Sequence, residues 1–143
     1  MKIERMQVSD LKEVMEIEKA SFKMPWKRAY FVYDMNRAQA YCMVARGNNR
    51  VLGYLIGWKV DDKLHIANIA VQPDERRKGI GGKLLKTILE IGKEIKCKGI
   101  FLEVRVSNRI AQNFYRKFGF VHTFTQKQYY HDGEEALILE KEL

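Results

Sequence analysis

The chain has 143 residues, the size of one compact domain, with 26 Lys+Arg against 18 Asp+Glu and a formal net charge of +8. No stretch approaches the ~20 apolar residues of a membrane span, and Met1-Lys2-Ile3-Glu4-Arg5 lacks the apolar core of a secretory signal. Cys42 and Cys97 form no CxxC, and His65, His122 and His131 stand apart, so reduced thiols in a cytoplasmic protein and no metal are expected. The basic excess raises encounter rates with polyanions such as nucleotides or RNA; it equally describes a solvated surface with no specific partner.

Residues 2–6 alternate polar and apolar, which predicts a short strand. Asp10-Leu11-Lys12-Glu13 has the spacing of a helix N-terminus, and Leu11, Val14, Met15, Ile17 and Ala20 continue one apolar face. Pro25 suits the first turn of a second helix running to about residue 36. Strands are expected at 41–46, 51–60 and 63–72, joined by Gly47-Asn48-Asn49 and Asp61-Asp62 as an antiparallel meander. From Gly79 to about Ile95 the helical period runs through Ile80, Leu84, Leu85, Ile88, Leu89 and Ile91, and 100–106 reads as a strand again. Strand, helix, strand is a βαβ unit, so the strands on either side of this helix should run parallel. Residues 108–118 predict a helix stopped by Gly119, and 120–130 with 135–143 predict a closing hairpin around His131-Asp132-Gly133. The expected fold class is α/β (mixed α+β), one domain over 1–143. It has a mixed sheet of about seven strands with a central parallel pair and helices on both faces.

The sharpest chemical signal is Arg76-Arg77-Lys78-Gly79-Ile80-Gly81-Gly82, between a strand and a helix. N–H groups at a helix start have no intrahelical acceptor, and the helix dipole adds positive potential there. Glycines admit a bulky anion to the backbone, and three basic residues add attraction, so the segment reads as a pyrophosphate cradle. It is neither a P-loop nor a dinucleotide fingerprint, since no Gly-Lys-Ser/Thr follows and the third glycine position is Leu84. A basic surface connection with no ligand has the same composition.

Arg76-x-x-Gly79-x-Gly81 resembles the pyrophosphate-binding motif of the GNAT acetyltransferases. Asn68-Ile69-Ala70-Val71 looks like that family's splayed strand, and Tyr115-x-x-x-Gly119-Phe120 like its C-terminal segment. Pro25-Trp26, Leu102-Glu103-Val104-Arg105, Ser107-Asn108 and Tyr129-Tyr130 are similar to the ribosomal-protein-alanine branch of the family. The resemblance covers nearly the whole chain; Gln128-Tyr129-Tyr130-His131 departs from the branch's Asn-Tyr-Tyr-Pro. It implies the seven-stranded GNAT fold and acetyl-CoA as co-substrate, with a protein N-terminus, such as that of a small-subunit ribosomal protein, as acceptor. By the same resemblance Glu103 is the general base and Tyr115 the general acid. Backbone at Ile69, Ala70 and Val71, residues Arg76, Arg77, Lys78, Gly79, Ile80, Gly81 and Gly82, and Asn108 match the cofactor contacts.

The residues carry other readings. Glu103 lies in the apolar run Ile100-Phe101-Leu102, where a carboxylate needs a partner, and Arg105 is one candidate. Tyr115, with Ala111 and Phe118 on its helix face, also reads as a core tyrosine, and Asn108 as a simple helix cap. Trp26, Phe31, Tyr129 and Tyr130 are candidates for an aromatic peptide groove, or ordinary core. A GNAT acting on small amines or lysine, and a non-catalytic RNA-binding module, stay open as alternatives; acetylation itself requires neither nucleic acid nor membrane.

Overall fold

The computed structural model describes residues 1–143. Seven strands form one sheet: β1 (Lys2–Arg5), β2 (Ala40–Gly47), β3 (Arg50–Val60), β4 (Lys63–Val71), β5 (Gly99–Arg105), β6 (Val121–Gln126) and β7 (Ala136–Glu142). Their spatial order is β1-β2-β3-β4-β5-β7-β6. The expected meander is present in β2, β3 and β4, and β4 pairs with β5 in parallel. β7 returns to lie beside β5, which leaves β6 at the edge.

Four helices cover the two faces: α1 (Leu11–Ser21), α2 (Arg28–Met35), α3 (Ile80–Glu94) and α4 (Arg109–Lys117). The apolar stripe of α3, made by Ile80, Leu84, Leu85 and Ile88, packs with Leu55, Leu64, Ile66, Ile100 and Leu102 on one side of the sheet. On the other side Leu11, Val14 and Ile17 of α1 and Phe31 of α2 pack on Val44, Tyr54 and Ile56. No helix is long and apolar enough to cross a membrane.

Three local expectations are corrected. Asp10 stands at the N-cap of α1 as its spacing suggests, but its side chain makes no cap bond; the carboxylate accepts the Gln7 N–H at 2.8 Å and an Arg46 N–H at 2.8 Å. The second helix begins at Arg28, because Trp26 donates its N–H to the Glu18 carboxylate at 2.9 Å and holds Pro25 in the preceding loop. The last hairpin is shorter than its pattern suggests. β6 stops at Gln126, and residues 127–135 form a hooked connection in which Tyr129 and Tyr130 both donate N–H to the Glu134 carbonyl.

Candidate active site

β4 and β5 pair only from Lys63↔Gly99 to Ile66↔Leu102, after which both strands continue without pairing to each other. The parting coincides with a bulge: Ile66 pairs with Gly57 and Asn68 with Ile56, leaving Ala67 unmatched. A Cβ on Gly57 would lie 2.9 Å from the His65 carbonyl oxygen, so only glycine fits the bulged pairing. The extra residue inverts the side-chain alternation of β4. Leu64 and Ile66 bury toward α3, whereas Asn68 and Ala70 face α1 and α2.

Gln72 donates its N–H to Leu52 on β3 at 2.8 Å. Successive residues of a strand point their N–H groups to opposite sides, so Ala70 also faces β3, while Ile69 and Val71 turn theirs into the opening. Of the three residues expected to offer backbone there, Ile69 and Val71 do so and Ala70 does not.

Beyond Val71 lies the basic turn. No acceptor within the chain takes the backbone N–H of any residue from 76 to 82, and the first helical bond runs from Lys83 N–H to Gly79 O at 3.1 Å. Gly79 has φ 86°, a left-handed conformation that disfavours a side chain, and open space where its Cβ would stand. The next two glycines work differently. A Cβ on Gly81 would meet Phe114 at 3.4 Å and one on Gly82 would meet Phe118 at 3.1 Å, so their bareness seats α4 against the start of α3. Ile80 is buried in the core and can offer only its backbone.

Arg76 acts as a staple: Nε donates to the Val71 carbonyl at 3.1 Å and Nη2 to Ser21 Oγ at 2.9 Å. Lys78 reaches Glu75 at 3.1 Å, whereas Arg77 is exposed. Asn108 spends its Oδ1 on the Ala111 N–H at 3.1 Å, the cap that its position allows.

Glu103 is the first β5 residue past the last parallel pair. Its Oε1 lies 2.7 Å from His65 Nε2, and both side chains are about five-sixths buried, at 15% and 16% exposure. The imidazole stacks on Phe101 (centroids 4.7 Å apart) and meets Trp58 edge-on. His65 therefore does not stand alone, and it, not Arg105, is the partner of Glu103. Arg105 instead reaches Asp132 and Glu134, each at 2.8 Å.

Burial first, and then the Glu103 charge and hydrogen bond, push the Tyr129 phenol above its ordinary value. Tyr115 is buried on α4, edge-on to Phe114 and Phe120; burial, and secondarily Tyr130, push its phenol up. It therefore stays protonated well beyond the ordinary phenol range. Tyr130 is raised by burial too, against the opposing pull of the Arg105 guanidinium 4.0 Å from its ring centroid.

The α1–α2 loop forms the opposite wall. Glu18, 1% exposed, receives the Trp26 N–H, the Tyr54 hydroxyl and, at 2.7 Å, the Asn68 amide. The cost of burying this carboxylate is met by three donors. Phe31 is corrected here: it is fully buried between Trp26 and Tyr54 and backs the wall without lining it. Glu18, Tyr54, His65 and Arg105 were not anticipated as site residues. Glu18 left a trace in the sequence as a charge on the buried face shared by Leu11, Val14 and Ile17, and Arg105 was considered only as a partner of Glu103.

No cysteine competes as a nucleophile in this cleft. Cys42 lies on β2, where burial pushes its thiol up to about 11, and Cys97 is buried under β5. Two other concavities, of about 270 and 660 Å³, flank β1, β2 and the end of α2. Neither contains a histidine or brings converging acid–base groups together, so the chemistry is assigned to the β4–β5 opening.

The sequence profile of the family described as "Acetyltransferase (GNAT) family" matches residues 11–120. The chain belongs to the GNAT acetyltransferase family. A provisional [ribosomal protein bS18]-alanine N-acetyltransferase of Bacillus subtilis is 37% identical over 139 residues, 96% of this chain and 92% of that protein. An N-alpha-acetyltransferase of Sulfurisphaera tokodaii is 30% identical over 151 aligned positions, covering 96% and 90%. The crystal structure of the ribosomal-protein-S18-alanine N-acetyltransferase from Escherichia coli superposes with a TM-score of 0.89 at 28% identity, over 99% of this chain and 92% of that one. The mixed sheet with its parted parallel pair is thus the GNAT fold, and the chain is an N-acetyltransferase of this type.

Proposed function

We propose that this GNAT enzyme transfers the acetyl group of acetyl-CoA to the N-terminal α-amine of a protein, with Ala or Ser first, and that a small-subunit ribosomal protein is a substrate. The observation that carries the reading is the Glu103–His65 pair at the point where β4 and β5 part. Relatives named for a ribosomal-protein alanine and for N-alpha-acetyl transfer support the acceptor class.

The residues fit the co-substrate on structural grounds. Seven uncommitted N–H groups and open space before Gly79 suit a pyrophosphate. The free backbone edge at Ile69 and Val71 suits an extended amide-bearing arm. Asn108 uses only its Oδ1 as a cap, which leaves its amide N–H groups to reach the co-substrate.

An α-amine has a pKa of roughly 7.7–8.0, against about 10.4 for lysine, so it needs only modest help from a base at neutral pH. Glu103, held by His65, accepts a proton from the amine as nitrogen attacks the thioester carbon. The N–C bond forms, the oxygen takes negative charge opposite the N–H of Val71 or Ile69, and the C–S bond then breaks. Tyr115, kept protonated by burial, donates to the departing sulfur. A phenol above its ordinary value is a weaker acid than a thiol near 8.5, so Tyr115 first stabilises the thiolate as a hydrogen-bond donor. Trp26, Tyr129 and Tyr130 flank the acceptor peptide.

The test is acetyl-CoA turnover on short peptides that differ in their first residue, with and without a blocked amine, beside free lysine and polyamines. Turnover confined to free N-termini, highest for Ala and Ser, is expected. Activity only on the small amines overturns the reading.

A further inference from the structure

Arg105 is a residue for which the acetylation chemistry above has no use, yet it touches both the 127–135 hook and the α1–α2 loop. Its side chain is 17% exposed at the end of β5. Nη1 donates to Asp132 at 2.8 and 3.1 Å and to Glu134 at 2.8 Å. The guanidinium carbon lies over the Tyr130 ring, 4.0 Å from its centroid. Nη2 reaches the Met24 sulfur, 3.7 Å away on the α1–α2 loop. The backbone around it is pinned as well. Gln112 of α4 donates to the carbonyls of Arg105 and Val106 at 3.1 and 2.9 Å, and Ser107 donates its N–H to Glu134 at 2.9 Å.

We infer that Arg105 is the positioning residue of the acceptor site: it fixes the 127–135 hook and the Met24 wall at one spacing, so that Tyr129 stands over Glu103 and Tyr130 over Tyr115. The inference rests on the N-terminal acetylation reading.

Besides these side-chain contacts the hook is tied to β5 by one backbone bond, from the Val106 N–H to the Glu135 carbonyl at 3.1 Å. β6 ends at Gln126 and β7 starts at Ala136, and most of the residues between are exposed. Within the hook, the Tyr129 and Tyr130 N–H groups bond the Glu134 carbonyl, and Glu134 is itself tied to Arg105 and Ser107. Release of Glu134 therefore frees both tyrosines together. A guanidinium suits this work because one of its amino groups bonds two carboxylates while its charge lies over an aromatic ring and its other amino group meets a thioether. Lysine offers one charged point and no flat face, so Arg105→Lys keeps the charge and loses the geometry.

The test compares Arg105→Met, Arg105→Lys and Asp132→Asn with the wild type in three measurements. These are acetyl-CoA affinity, the separate KM and kcat for an N-terminal peptide, and hydrogen exchange across 127–135. Asp132→Asn removes one exposed contact and safeguards against Arg105→Met failing to fold. The expected result is a rise in peptide KM of about tenfold for Arg105→Met, the scale of one lost charge-assisted contact. Arg105→Lys falls between and Asp132→Asn changes least, exchange in the hook rises in the same order, and acetyl-CoA affinity does not change. Unchanged exchange in Arg105→Met, or an equal loss of acetyl-CoA and peptide affinity, overturns the inference. If the wild type acetylates no N-terminal peptide, the acceptor reading fails instead, and the exchange arm still reports whether Arg105 holds the hook.

Discussion

The two ends of the cleft are made from different parts of the polypeptide. At the α3 start the exposed surface is backbone: seven consecutive residues with uncommitted N–H groups, a left-handed Gly79, and side chains that either staple the turn, as Arg76 does, or stand exposed, as Arg77 does. At the other end the surface is side chain, assembled from α1, β4, β5, α4 and the hook, and stabilised by Glu18, Glu103 and Arg105 with their partners. A contiguous backbone site tolerates many side-chain changes but few changes of conformation. A site of converging side chains has the opposite sensitivity. One end is therefore suited to an invariant co-substrate and the other to a variable acceptor.

The largest effect that separates the two ends is expected from Glu103→Gln. It removes the proposed base and leaves the turn untouched, so kcat/KM should fall about 10²–10⁴-fold with acetyl-CoA affinity unchanged. Steady-state kinetics beside calorimetry checks this, and retained turnover at neutral pH removes the base assignment. Next is Gly79→Val, which forces a β-branched residue into the left-handed region at roughly 1–2 kcal/mol. Acetyl-CoA affinity should drop about tenfold. Gly79→Asn, which tolerates that region, should recover most of it; equal losses in the two variants would mean that conformation is not the reason for the glycine.

Tyr54→Phe probes the buried anchor of the α1–α2 wall. It deprives Glu18 of one donor and should cost about 1–3 kcal/mol in urea unfolding, with acetyl-CoA affinity preserved. A neutral result would show that Trp26 and Asn68 suffice.

The smallest effect is acid sensitivity of the hook. The Ser107 and Arg105 contacts hold the Glu134 carboxyl down to about 2. A depressed carboxylate stabilises above its unfolded value of about 4.3 and loses that contribution as pH falls toward 2. Near-ultraviolet dichroism of the tyrosines should therefore change between about pH 4.5 and pH 2 at unchanged far-ultraviolet signal. Loss of both together would place the sensitivity in the whole fold.

Much of this was legible from local pattern. The meander, the long α3 stripe and the parallel β4–β5 step follow from periodicity and from the length of the crossover. The errors have a common physical origin. Pro25 and the 120–130 run carry local signals for helix and strand, but tertiary contacts from Glu18 and from Arg105 override them. His65 looked isolated because register between parallel strands is invisible in a sequence. Only pairing with Phe101 brings it within reach of Glu103, two residues on.

Sequence alone determined the helix-start turn, since glycine spacing and a run of basic residues are local properties that backbone conformation follows directly. Tertiary structure decided which amides face the opening, who partners Glu103, and what holds the 127–135 hook. A single bulged residue at Ala67 reverses the facing of everything after it on β4, and the charged side chains of the cleft take their partners from segments the fold brings together.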